Sequence, residues 1–128
     1  GANAMIAAKV QGSIINIASI TGLRTQMMTT AYSVSKAGVD HMTRQMAVEM
    51  ARSGIRVNAI APGYFKTEIN DDFLESEEGL KMIRRIAQRR IGNVSELSGP
   101  LLLLASDAGS FMTGSTIVVD GGHTLMPL

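Results

Sequence analysis

Residues 31–63, AYSVSKAGVDHMTRQMAVEMARSGIRVNAIAPG, decide the fold, because the period of the pattern changes part-way along them. From 31 to 52, Met42, Met46 and Met50 recur every four residues and, with Val39, form an apolar stripe. Asp40, His41, Arg44, Gln45 and Glu49 share the other side, so the segment reads as an amphipathic helix, with Gly54 as its stop. Its first turns are crowded with small residues, Ala31, Ser33, Ser35, Ala37 and Gly38. These either pack within the domain or let a helix of a partner subunit approach closely. Residues 56–61 (RVNAIA) then form a short, mostly apolar run stopped by Pro62-Gly63. A run that apolar without clean alternation indicates a strand buried on both faces, as in a parallel sheet.

The same grammar extends in both directions. Upstream, residues 13–18 (SIINIA) form another buried-type strand, bounded by Gly12 and by Ser19-Ile20-Thr21-Gly22, with a loop over 22–30. Residues 5–9 read as the tail of a helix closed by Gly12, and Gly1-Ala2-Asn3-Ala4 ahead of Met5 reads as an expression scar, set aside from the fold. Downstream, 70–90 is helical in composition but interrupted at Gly79, with Leu80, Ile83 and Ile86/Ala87 on one face. Asn93 followed by Glu96 fits a capping box for a helix over 95–105. Residues 116–119 make a third strand, ended by Asp120-Gly121-Gly122. Strand, helix, strand, helices, strand is the order of a parallel sheet covered by helices. Three strands are few for such a sheet, so the chain is expected either to be part of something larger or to associate.

Composition narrows the function classes. Of 128 residues, 45% are hydrophobic and 18% charged, the balance of a folding chain and not of a disordered one. Twelve Lys+Arg against eleven Asp+Glu give a net charge of +1, no field to hold a phosphate backbone, so nucleic acid is not an expected partner. The longest apolar run, 101–105, is far short of the roughly 20 residues a bilayer span needs. With no secretory pattern at the start, a cytoplasmic location is expected. Zero cysteines exclude disulfide frameworks, thiolate zinc sites and cysteine nucleophiles. His41 and His123 lie far apart in sequence, and no metal site is expected.

The local signal for chemistry is Tyr32 with Lys36, a spacing that puts both side chains on one face of the helix. A tyrosine side chain, with an ordinary pKa of about 10, is a poor acid or base at neutral pH. A neighbouring ammonium favours the phenolate, which is the tuning that general acid–base work requires. Ser19 ends the first strand, one loop before Tyr32, and the carboxyl edge of a parallel sheet is where ligand groups gather. A serine hydroxyl there can bond a substrate carbonyl or alkoxide. A hydrolase built on Ser19 is not supported: there is no G-x-S-x-G elbow and no histidine or acid placed to activate it.

Ser19, then Tyr32-Ser33-Val34-Ser35-Lys36, then Val57-Asn58-Ala59-Ile60-Ala61-Pro62-Gly63 and Thr67 resemble the carboxyl-terminal half of a short-chain dehydrogenase/reductase. The ending, with Leu104-Ala105-Ser106-Asp107, Met112-Thr113-Gly114 and Val119-Asp120-Gly121-Gly122, resembles that family's closing segment, so the likeness runs over 5–128. The resemblance implies an α/β, Rossmann-like parallel sheet of about three strands with covering helices, an incomplete doubly wound fold. It implies an NAD(P)-dependent oxidoreductase that moves hydride between nicotinamide and a secondary alcohol or ketone. Tyr32 would be the general acid/base, Lys36 would support it and bind the nicotinamide ribose, and Ser19 would orient the substrate oxygen. Pro62 and Gly63 would turn the backbone beneath the nicotinamide, with Phe65 near its ring and Thr67 on its carboxamide. Residues 70–90 would cover the substrate, and the long helix and a later one would pack into a homodimer or homotetramer.

The departures from the family also carry meaning. No G-x-G occurs, and no glycine-rich loop precedes a helix to receive a pyrophosphate. The family's further catalytic asparagine lies on the helix before the first strand, and Asn3 is not counted as its substitute. The chemistry half is therefore expected here without most of the cofactor half, and the alternative is a non-catalytic piece stabilised by self-association through its helices. Arg84, Arg85, Arg89 and Arg90 read as a solvated basic face, with contact to a phosphorylated substrate as the alternative. His123 reads as a surface residue, and Met27-Met28 as loop packing or substrate contact.

Overall fold

The structure is a computed structural model, and it describes residues 1–67 and 71–126. Strands β1 (Gly12–Ile17), β2 (Ile55–Pro62) and β3 (Thr116–Val119) make one parallel sheet in the order β1-β2-β3. The helices are α1 (Ala2–Ala8), α2 (Thr30–Met50), α3 (Asp71–Glu75), α4 (Glu77–Ile83) and α5 (Ser98–Ala105). This is the expected Rossmann-like α/β arrangement, with β2 in the centre and β1 at an edge of the described sheet.

β2 is central because both of its faces are apolar or hydrogen-bonded. Ile55, Val57, Asn58, Ala59, Ile60 and Ala61 are each at most 1% exposed. Pleating sends alternate residues to opposite faces. Ile55 and Val57 meet Ala47, Met46 and Met50 of α2, together with Ile14 and Met5. Ala59 and Ala61 meet Ala18 and Val39, where small side chains let α2 lie close to the sheet. The opposite face carries α5, tied to β1 by the Ser13 hydroxyl, which donates to the Leu104 carbonyl at 2.7 Å.

Buried polar groups fix the register of these layers. Asn58 Nδ2 donates to the Met112 carbonyl at 2.8 Å, and its Oδ1 accepts from the Ser115 amide at 3.0 Å. Asn16 Nδ2 donates to Thr43 Oγ1 at 3.0 Å, pinning α2 to β1. The Thr116 hydroxyl donates to Asp40 Oδ1 at 2.7 Å, pinning α2 to β3, while Arg44 holds the other Asp40 oxygen at 2.6 Å. Each such bond adds about 1 kcal/mol, but leaving a buried partner unmade costs about 1–3 kcal/mol, so the network selects one arrangement of helix on sheet.

Several sequence expectations are corrected in detail. Asp40, assigned to the solvent side of the long helix, is buried, and Met42, assigned to the apolar stripe, is exposed. The reason is that α2 packs through Asp40, Thr43 and Ala47, a face chosen by hydrogen bonds to two strands and by small size. α1 begins at Ala2, inside the four residues set aside, and it closes at Lys9 in a left-handed conformation ahead of Gly12. The helical stretch expected over 70–90 is two short helices parted at Ser76, not at Gly79, which lies buried inside α4. Ser76 is extended and its hydroxyl accepts from the Gly79 amide at 3.1 Å, so the cap sets the break. Asn70, the first residue of that stretch, lies outside the described residues, and the α-helix ends at Ile83 instead of Arg90. Of that stretch's expected apolar face, Ile86 is buried, whereas Leu80 and Ala87 are exposed. The helix expected over 95–105 opens as a 3-10 turn, Val94–Leu97, and becomes α only from Ser98. Glu96 does accept from the Asn93 amide at 2.8 Å, as the capping pattern requires. Among the described residues, no helix is long and apolar enough to cross a membrane.

Candidate active site

The end of β1 and the start of α2 are built to meet. After Ile17 the chain enters a 3-10 turn, Ile20–Gly22, with Ser19 as its cap. A Cβ on Gly22 would stand 2.6 Å from the Lys36 carbonyl carbon and 2.7 Å from the Ala37 nitrogen, so only glycine lets this turn lie directly on α2. Lys36 closes the contact from the other side: its Nζ donates to the Ile17 carbonyl at 2.9 Å. The same ammonium lies 5.7 Å from the centroid of the Tyr32 ring, within cation–π range. Ser19, Tyr32 and Lys36 are thus gathered at one corner, at the carboxyl edge of the sheet.

The hydrogen bonds of Ser19 leave it a defined capacity. Its Oγ accepts from the Thr21 amide at 3.2 Å and from the Thr21 hydroxyl at 3.1 Å. A hydroxyl offers two acceptor lone pairs and one donor, so the O–H of this buried serine remains to donate. Tyr32 by contrast is 51% exposed, its ring open to an incoming molecule.

The end of β2 supplies the second wall. The Ala18 amide donates to the Ile60 carbonyl at 2.8 Å, so β1 and β2 leave the sheet side by side. Pro62 closes β2 opposite Val119, and the Gly63 amide continues the ladder to the Val119 carbonyl at 2.8 Å. A Cβ on Gly63 would stand 2.7 Å from Asp120 Cβ, which makes this a second glycine set by close approach. Phe65 bridges to Gly92, lies over that glycine, and lines a cavity of about 200 Å³ with Arg90, Glu96 and Asp120. Thr67 is exposed, next to the undescribed 68–70.

A larger cavity of about 490 Å³ opens beside Ile20 and Thr21, roofed by Met82 and bounded by Tyr64. Tyr64 Oη donates to Gln26 Oε1 at 3.2 Å, linking the two loops that leave β1 and β2. His123 corrects its surface assignment. It is half-buried, its ring centroid lies 5.6 Å from that of Tyr64, and its Nδ1 is enclosed with no hydrogen-bond partner among the described residues. Burial holds the imidazole below its ordinary pKa; Asp120 opposes that shift, and Arg24 and Arg85 add to it. Asp120 itself sits below the ordinary carboxylate value. Burial would raise it, but the amides of Thr124 and Gly122, both at 2.8 Å, hold the charge. Arg24, Arg85 and His123 were not legible as a group, because they come from three distant segments. The sequence hints were separate: the basic cluster around Arg85, and the Gly121-Gly122 pair, whose positive φ angles turn the chain beside the cavity.

An open parallel α/β sheet with its polar side chains gathered at the carboxyl edge defines the class. A family model described as enoyl-(acyl carrier protein) reductase matches residues 2–124. The chain belongs to the short-chain dehydrogenase/reductase family. It is 38% identical to glucose 1-dehydrogenase 2 of Bacillus subtilis, an alignment covering 98% of this chain and 48% of that protein. It is 43% identical to the 2-dehydro-3-deoxy-D-gluconate 5-dehydrogenase of Escherichia coli, over 87% of this chain and 44% of that one. Among solved structures it matches a gluconate 5-dehydrogenase from Burkholderia cenocepacia in complex with NADP and tartrate. The TM-score there is 0.92 and the identity 37%, covering 98% of this chain and 49% of that chain. The chain spans about half the length of these relatives.

Proposed function

We propose that this chain is the catalytic half of an NAD(P)-dependent oxidoreductase, which interconverts a secondary alcohol and a ketone with Tyr32 as general acid/base. One observation carries the reading: the Lys36 ammonium lies between the Tyr32 ring and the Ile17 carbonyl, beside a serine whose O–H is left to donate. When bound, a nicotinamide dinucleotide supplies the hydride acceptor or donor. The residues present fit its nicotinamide end. Tyr32 is open at the carboxyl edge and Lys36 part-exposed there, for ribose hydroxyls, and the Pro62-Gly63 turn ends the neighbouring strand, for the ring. Phe65 and Thr67 follow on the same segment and are assigned to that end as well. Nothing in the described residues forms a glycine-rich turn for the pyrophosphate, which falls to the part of the whole protein beyond this chain.

The work of the chain's own residues follows from their capacities. Ser19 donates its O–H to the substrate oxygen and holds it next to Tyr32. In the oxidation direction Tyr32 Oη takes the alcohol proton, and in reduction it returns one to the alkoxide. Lys36 stabilises negative charge on Tyr32 Oη while the proton is away. Replacing Tyr32 by Phe in the whole protein should lower turnover by about 10²- to 10⁴-fold while cofactor still binds. Steady-state kinetics beside calorimetric titration of NADH and NADPH checks this, and activity within a few-fold of the parent contradicts the assignment.

The outer face of α2 supports a homodimer or homotetramer as the working form. Val34 and Val48 are 66% and 78% exposed, and Leu102 on α5 is 65% exposed. Gly38 has open space where a Cβ would stand, with no described residue beyond the helix packed against that point. The same face favours the second reading, self-association without catalysis, and the Tyr32 experiment separates the two.

A further inference from the structure

We infer that the 490 Å³ cavity takes a substrate bearing a carboxylate, a hydroxy acid or its oxo acid, with the Arg85 guanidinium as the carboxylate's partner. The inference rests on the oxidoreductase reading for the chemistry at the other end of the molecule. The cavity runs from Thr21, two residues past Ser19, to the segment following β3. Its volume lies within the range of small-ligand sites. Two arginines and a histidine line it, and no acidic side chain does so among the described residues.

The three basic groups are not equivalent. Arg24 is committed: its Nη1 donates to the Thr124 and Met126 carbonyls, which ties the loop after β1 to the chain's last described turn. Burial favours the neutral form of His123, so it offers a ring nitrogen and little charge. Asp120 spends one oxygen on the Gly122 amide and the other on the Thr124 amide, and is not turned to either arginine. Among the described residues, the Arg85 side chain has neither an ion pair nor a hydrogen bond. A single free guanidinium presents a planar fork that matches one carboxylate through two parallel hydrogen bonds. A phosphate dianion has three oxygens to satisfy, more than one free fork can serve. The basic cluster of the sequence thus divides by tertiary position: Arg90 is spent on Glu96 at 2.7 and 2.8 Å, whereas Arg85 faces the cavity.

The test compares the whole protein with its Arg85→Met and Arg85→Lys variants on hydroxy acids and on the matching neutral hydroxy amides. Arg85 is exposed, so folding should be unchanged by circular dichroism. Loss of the fork should cut kcat/KM for the hydroxy acid by about 10- to 100-fold, chiefly through KM, with the neutral substrate altered less than about threefold and Lys restoring part of the loss. Equal effects on both substrates, or none, overturn the carboxylate site and leave the oxidoreductase reading standing. Calorimetric titration with succinate, succinamide and inorganic phosphate provides a readout independent of turnover. Binding of succinate lost in Arg85→Met supports the site even if no alcohol is oxidised, in which case the oxidoreductase reading fails alone. Binding of phosphate in preference to succinate overturns the carboxylate class.

Discussion

The carboxyl ends of β1 and β2 lie side by side and are secured by different means. The end of β1 is held by a helix that follows it closely in sequence, through Lys36 on the Ile17 carbonyl and Gly22 on the Lys36 backbone. β2 and the turn after it are held from much further along the chain. Asn58 binds Met112 and Ser115, Gly63 lies against Asp120, and the Tyr64 carbonyl accepts from the Gly92 amide at 2.9 Å. The first corner carries the groups proposed for proton transfer; the second shapes the walls around them. Groups set by short-range contacts can therefore persist while distant segments vary the cavity.

Asn58→Ala should produce the larger loss, because it orphans the Met112 carbonyl and the Ser115 amide and leaves a void beside a fully buried strand. A cost of about 2–5 kcal/mol is expected, read as a shift of the urea midpoint. A loss below about 1 kcal/mol would mean that the β2 side does not depend on this amide. Gly22→Ala should cost less, about 1–3 kcal/mol, since a Cβ at 2.6 Å from helix backbone forces the turn off α2. Its sharper effect should be on function. In the whole protein, turnover should fall further than stability, because the turn carries Ser19, and unchanged kinetics would show that the corner tolerates the displacement.

The smallest effect belongs to the exposed Arg90–Glu96 pair. The side-chain hydrogen bonds from Arg90 lower the Glu96 pKa from 4.5 to about 2, with the Asn93 amide assisting. The folded value lies below the ordinary one, so the contribution is complete above about pH 4.5 and is lost as pH falls through about 2. Both side chains face solvent, and salt screens the pair. Thermal melts from pH 6 to pH 2 should therefore show a shallow decline that Glu96→Gln removes, and a decline of equal size in that variant would assign it to other carboxylates.

By itself the sequence determined the class of fold and the corner where Ser19, Tyr32 and Lys36 meet. A change of period at 52–56 marks helix and strand, and Ser19, Tyr32 and Lys36 are separated by a single loop and a single helical turn, so local geometry suffices to bring them together. Tertiary structure decided what periodicity cannot encode. Asp40 looked like a solvent-facing helix residue until Thr116, far along the chain, supplied its hydroxyl. His123 looked like a surface residue, and Arg85 one of four equivalent arginines, until the turn after β3 and the turn after α4 were laid around one cavity. A residue's burial and charge partners depend on segments distant in sequence, and a parallel sheet makes such distant pairings obligatory, because each strand must cross over before it meets the next.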